Sequence, residues 1–179
     1  ENSGRPATVP WKKHVIDNRS RAPIHGHPID LDGDGDLDVV MAHGMRTDVD
    51  PKIERHEVVW YENSGRLGNG AKWIRRQIGR LPFAFEAIAA DLDRDGDLDV
   101  IATAWSKGDR VVWFESRPKS KDRRWVRHAL RENFRAANQV IAADFNGDKR
   151  PDLAATADDG SRRVKGSLEL RWWRNEGRK

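Results

Sequence analysis

Five aspartates alternate along DLDGDGDLD, residues 30–38, with only glycine and leucine between them. Asp30, Asp32, Asp34 and Asp38 hold positions one, three, five and nine of the stretch, and Asp36 holds position seven. Oxygen donors at alternate positions of a tight loop are what a hard cation such as calcium requires, with position seven offering its backbone carbonyl. Gly33 and Gly35 let the chain curl around the ion at low steric cost. The pattern returns as DLDRDGDLD, with Asp91, Asp93, Asp95, Asp97 and Asp99, and Gly96 keeps the second turn. It returns altered as DFNGDKRPD, with Asp144, Asn146, Asp148, Arg150 and Asp152. There Lys149 and Arg150 replace a glycine and an acid, so up to three calcium ions are expected, the third bound most weakly.

Other chemistries fit less well. An EF-hand shares the early spacing but needs a bidentate glutamate at position twelve, on a helix. Position twelve here is Met41, Ala102 or Ala155, inside apolar runs, which excludes it. Magnesium keeps its waters and seldom takes an all-protein cage. A plain acidic turn would leave four carboxylates repelling one another at close range.

The acidic loops belong to a longer repeat, which must supply the elements that hold them. A tryptophan precedes each loop, opening WKKHVI at Trp11, WIRRQI at Trp73 and WVRHAL at Trp125. A third phrase follows each: VVWYENSG at 58, VVWFESRP at 111 and LRWWRNEG at 170. FEAIAAD, LDVIATAW, RVVWFES and WVRHAL read as short strands rich in branched and aromatic residues, and no segment sustains helical periodicity. Four strands per repeat predict an all-β chain of propeller blades, with a stack of small sandwiches as the alternative. Residues 1–179 then form one propeller-type repeat domain, with units near 11–65, 73–118 and 125–177.

The frame of the repeat is offset. ENSG at the start matches residues 62–65, the end of a third strand, so the segment around Trp11 reads as an outer fourth strand. The last unit has three strands. The N-terminal strand could therefore close the last blade and remove two exposed edges. Three blades are too few to close a ring, so the chain is either a piece of a larger ring or assembles with copies of itself. Trp60, Trp113 and Trp172 are expected between blades, and Trp11, Trp73 and Trp125 to pin outer strands. Trp173, facing away from Trp172, is expected at solvent or a subunit contact.

The loop DLDGDGDLDVV followed by VVWYENSG resembles the FG-GAP/VCBS repeat family of calcium-binding propeller blades, found also in integrin α-subunit heads. The resemblance spans nearly the whole chain. It implies one calcium per blade, in the hairpin between the first and second strands. It also implies a secreted or surface protein of the adhesion, carbohydrate-binding or polysaccharide-lyase kind.

Composition narrows the rest. Of 179 residues, 35% are charged, yet eight tryptophans argue for a packed core over disorder. With no cysteine there is neither a disulfide framework nor thiolate chemistry. No apolar run reaches the roughly 20 residues of a membrane helix. The chain begins at Glu1, which suggests a processed or excised product, and Asn18-Arg19-Ser20 fits a glycosylation acceptor. Loops of this kind need the calcium supply found outside cells, so secretion is expected.

Thirteen of the 29 acids lie in the three loops, leaving 33 Lys and Arg to face the remainder. The working surface is then basic, densest at 117–125 and 161–166, and suits an anionic polysaccharide or a cell-surface protein better than nucleic acid. Ordinary solvated loops are the alternative. On the face away from the acidic hairpins, His25, His27 and His43 in the first unit correspond to Glu86 and Trp105 in the second and to Gln139 and Asp158 in the third. This rim could bind a sugar or supply an acid–base pair. Three functions remain open: a recognition module with structural calcium, a self-assembling ring or fibre, and a polysaccharide-cleaving enzyme.

Overall fold

The computed structural model describes residues 8, 10–44, 56–65, 72–117, 124–158 and 168–177. The basic run 161–166 and most of 117–125 lie outside them. Eleven strands form three antiparallel sheets among the described residues. The first holds β1 (Pro23–Ile29), β2 (Asp38–His43), β3 (Glu57–Asn63) and β4 (Trp73–Arg80), in that order. The second repeats it with β5 (Ala84–Ala90), β6 (Asp99–Ala104), β7 (Arg110–Arg117) and β8 (Arg124–Glu132). The third has β9 (Ala137–Ala143), β10 (Asp152–Asp158) and β11 (Leu168–Trp173). Each acidic loop joins the first two strands of its sheet, as the repeat predicts.

The sheets stand side by side, with the innermost strands β1, β5 and β9 adjacent. Side chains alternate across each strand, so every sheet has a face toward the next one. Val40, Ala42, Val58 and Trp60 of the first sheet pack on Val100, Ala102, Val112 and Phe114 of the second. Ile88, Ile101, Val111 and Trp113 of the second then pack on Val140, Leu153, Ala155 and Trp173 of the third. Small residues such as Ala87 and Ala102 fill the inner part of these cores, and Trp60 or Phe114 fills the outer part. That gradient lets neighbouring sheets splay apart like blades. One close approach between sheets is at Gly79, which lies against the Phe114 ring.

The chain enters each sheet through the same turn. Ala22, Phe83 and Ala136 each take a left-handed φ, of 50, 60 and 51°. The carbonyl of each accepts a bond from the residue at or just beyond the end of the second strand: Gly44 N at 3.0 Å, Trp105 N at 2.8 Å and Asp158 N at 3.1 Å.

Two expectations fail at the ends of the array. Residues 10–22 form no strand and do not close the third sheet. They run along the first sheet, where the Tyr61 hydroxyl donates to Asp17 Oδ2 at 3.0 Å. A lone outer strand has no ladder to join there, so the segment is held by side chains and Trp11 stays exposed. The roles of the paired tryptophans are also reversed. Trp173 sits edge-on to Phe134 at 5.2 Å, between the second and third sheets. Trp172 is the exposed one, because it faces where a fourth sheet would stand.

Replacing Gly79 tests the tight contact. A Cβ there would lie 2.3 Å from Cε1 of the wedged Phe114 ring. Gly79→Ala should cost about 1–3 kcal/mol, as overpacked sites do, seen as a melting midpoint several degrees lower with an unchanged circular dichroism spectrum.

Candidate metal centre

The three acidic loops share one backbone plan, written in carboxylate hydrogen bonds. The first aspartate curls the loop: Asp30 accepts from Gly33 N at 2.9 Å and Gly35 N at 3.0 Å. Asp91 accepts from Asp95 N and Gly96 N, and Asp144 from Gly147 N, Asp148 N and Lys149 N. The third and fifth positions each cap the amide two residues on. Asp32 caps Asp34 and Asp34 caps Asp36, with Asp93–Asp95–Asp97 and Asn146–Asp148–Arg150 repeating the ladder. These are Asx turns, which explain why Asp or Asn is needed at alternate residues even before an ion is considered.

Positions four and six are left-handed in every loop: Gly33 and Gly35, then Arg94 (φ 64°) and Gly96, then Gly147 and Lys149 (φ 67°). The first loop alone has glycine at both.

Position nine has a second duty that spacing did not reveal. Asp38 accepts from Leu31 N at 3.2 Å and from Asn63 N, at the end of β3, at 2.8 Å. Asp99 does the same with Leu92 N and Ser116 N, and Asp152 with Phe145 N and Asn175 N. Each is fully buried and ties the loop to the third strand of its own sheet. The repeated signal that could have shown this is the small polar residue three places after Trp60, Trp113 and Trp172, the Asn, Ser or Asn ending VVWYEN, VVWFES and LRWWRN.

Among the described residues two groups of carboxylates can hold a metal ion: Asp30, Asp32 and Asp38, and Asp91, Asp93 and Asp95, each with ligand oxygens within 4.8 Å of one another. The donors are all oxygen, the set a hard divalent cation prefers. The first loop also holds a buried oxygen outside its triad. Asp36 Oδ1 is buried and accepts no hydrogen bond among the described residues.

Electrostatics agree. Burial, then the charges of Asp38 and Asp34, push Asp32 above the ordinary carboxylate range. Burial followed by Asp34, Asp32 and Asp30 does the same to Asp36. Asp38 is raised by burial against the bonds from Asn63 and Leu31. Asp99 is pushed up to about 6, by burial first and Asp93 in addition, despite the Ser116 and Leu92 amides.

In the third loop the balance reverses. Burial opposes ionisation of Asp144, but the amides of Lys149, Gly147 and Asp148 hold its pKa below the usual value. Arg174 lies 3.8 Å from Asp148 Oδ2. No triad of acids forms there among the described residues, since Asn146 replaces the middle carboxylate and its amide nitrogen bonds Asp152 at 3.0 Å.

The rim residues do not converge on one site. Glu86 is buried with both oxygens engaged, Oε1 with His27 Nε2 at 3.0 Å and Oε2 with Val140 N at 2.8 Å. It is a tie joining the inner strands of all three sheets. His25 packs edge-on against Phe85, which in turn touches Trp105. His25, Gln139 and Asp158 line one shallow depression of about 490 Å³. His43 lies elsewhere, buried beside Tyr61 on the outer face of the first sheet, where burial lowers its pKa and Arg75 adds to the effect.

Comparison with known proteins supplies one match. The family described as FG-GAP-like repeat matches residues 30–102 and 91–155. No curated protein and no solved structure matches the chain.

Two measurements probe these loops. In metal-free protein, Asp99 ionises at about 6 when folded against 3.8 when unfolded. The folded state therefore holds its proton more tightly, and stability falls as pH rises from about 4 to about 6. Melting followed from pH 4 to 7 in chelator should show that fall, and Asp99→Asn should reduce it, leaving the part owed to Asp32, Asp36 and Asp38. Lys149→Gly relieves an exposed left-handed residue, so it should stabilise the chain by about 1 kcal/mol in denaturant titrations.

Proposed function

The chain belongs to the FG-GAP-like repeat family, and from that membership we propose that it is a secreted β-propeller module in which calcium sets the loops and a basic surface recognises an anionic partner. The observation that carries the metal half is the pair of aspartate triads: burial and the neighbouring carboxylates raise the pKa of Asp32 in the first, and burial with the charge of Asp93 raises that of Asp99 beside the second. A bound divalent ion removes that repulsion and is coupled to folding by mass action. Calcium fits better than magnesium because the donors are protein oxygens in a curled loop. Extracellular modules of this type work at about 10⁻⁴–10⁻³ M calcium, which supports secretion. The third loop, already compensated by backbone amides and Arg174, would bind last.

The recognition half rests on charge. Outside the loops, cations outnumber acids by about two to one, and each bound ion adds two more positive charges. An acidic polysaccharide or an acidic cell-surface protein is the partner such a field attracts. The tryptophans do not form the exposed ladder that single-stranded nucleic acid stacks on: Trp60, Trp113 and Trp173 pack between sheets.

Retention on a carboxylated or sulfated polysaccharide column tests the reading. Binding should require calcium, weaken steeply between low and physiological salt, and exceed binding to a neutral glycan. Equal retention on both matrices would remove the anionic partner.

A further inference from the structure

Residues 11–16 have the sequence of an outer strand but lie in no sheet. The connection behind them is nevertheless built like those that follow β4 and β8. From Trp11 to Pro23 the chain is as long, to within a residue, as from Trp73 to Ala84 or from Trp125 to Ala137. Ala22 repeats the left-handed turn of Phe83 and Ala136. Asp17 touches Tyr61 at the place where, one sheet on, Gly79 of an outer strand abuts Phe114. The segment thus occupies the outer-strand position of a sheet whose other three strands are not beside it among the described residues.

The opposite end offers those three strands. β11 has no neighbour on its outer side among the described residues. Ile141, Phe145, Leu170 and Trp172 hold the positions that Ile88, Leu92, Val111 and Trp113 hold in the second sheet. The latter four are covered by the third sheet. The former are 58%, 47%, 76% and 52% exposed. An apolar face in register with two packed interfaces calls for another sheet of the same repeat.

We propose that residues 11–16 of one copy of this chain add to β11 of a second copy as its fourth strand, seating the first sheet of one copy on the open face of the third sheet of the other. Both halves of the joint are present on one chain, which is why a second copy suffices. Asn63 and Ser116 pair with Trp73 and Trp125, and Asn175 takes their place by its bond to Asp152. Trp11 then falls opposite Asn175, and His14 opposite Trp172. In the two complete sheets that same position covers the tryptophan, with Arg76 5.5 Å from the Trp60 ring and His128 stacked on Trp113 at 4.5 Å.

The receiving face of the first sheet is prepared. Glu57 is paired by Arg75 and Gln77, and Tyr61 by Asp17 and Ser20, so the cover need supply mainly apolar surface. A cavity of about 600 Å³ lined by Ile16, His43, Tyr61, Trp73 and Arg75 gives room for Leu170 and Trp172 of the other copy. Joined twice, two copies of three sheets close a ring of six, inside the roughly four-to-eight-blade range of propellers. This joint does not depend on the anionic partner, so its failure leaves the polysaccharide test untouched.

Light scattering of the calcium-loaded chain at micromolar concentration should give twice the 20.5 kDa chain mass. Leu170→Lys, at a residue exposed in the single chain, should weaken the pair by more than about tenfold with an unchanged circular dichroism spectrum. The chain has no cysteine, so Lys12→Cys and Arg174→Cys chains can be mixed and oxidised, and the mixed disulfide should dominate over either self-pair. A single-chain mass would overturn the proposal. So would a dimer that ignores Leu170→Lys and yields no mixed disulfide. Open polymers dispersed by Leu170→Lys would overturn the closed pair.

Discussion

A buried carboxylate at position nine of each loop is the constraint on which the architecture turns. Asp38, Asp99 and Asp152 are all but inaccessible, and each accepts one amide from its loop and one from the end of the third strand. Burying a charge is costly unless it is compensated, and two amides compensate only in part, as the elevated pKa of Asp99 shows. The remaining cost falls on the loop, which gathers further acids beside the same group. In the first loop Asp38 stands in the triad itself, so one side chain fixes the hairpin to its sheet and presents an oxygen to a cation. Fold and site are therefore one problem in this chain.

The packing between sheets follows from the same repeat. Because each hairpin is tied to its third strand, the alternation of side chains is fixed, and every sheet turns an equivalent face to its neighbour. The face is filled where a neighbour exists, as for Trp60 and Trp113, and bare where none does, as for Trp172. Glu86 adds a polar tie across the inner strands, holding His27 on one side and the Val140 amide on the other. A residue singled out in the sequence for acid–base work thus spends both oxygens on joining sheets.

What could be read in the sequence was what repeats. The strands, their order, the loop between the first and second strand of each sheet and the lack of an acidic triad in the third loop among the described residues all follow from three aligned phrases. What could not be read depended on which neighbour a residue meets. Trp172 and Trp173 are adjacent in sequence, and only which side of the third sheet has a neighbour among the described residues decides which is buried. The segment at Trp11 has the pattern of an outer strand, but a strand needs a ladder, and the first sheet already has its four. His25, His43 and Glu86 looked alike as rim residues; they are separated because β1, β2 and β5 carry them to different surroundings. The clamp by position nine escaped notice because spacing shows where an oxygen stands and not which amide it takes.

The most direct test of the central claim is calorimetric titration of metal-stripped protein with calcium. The account predicts two sites in the first and second loops, a third that is weaker or absent, and loss of one site in an Asp30→Ala/Asp32→Ala chain. Absence of any saturable binding up to millimolar calcium, in protein whose circular dichroism shows intact sheet, would contradict it.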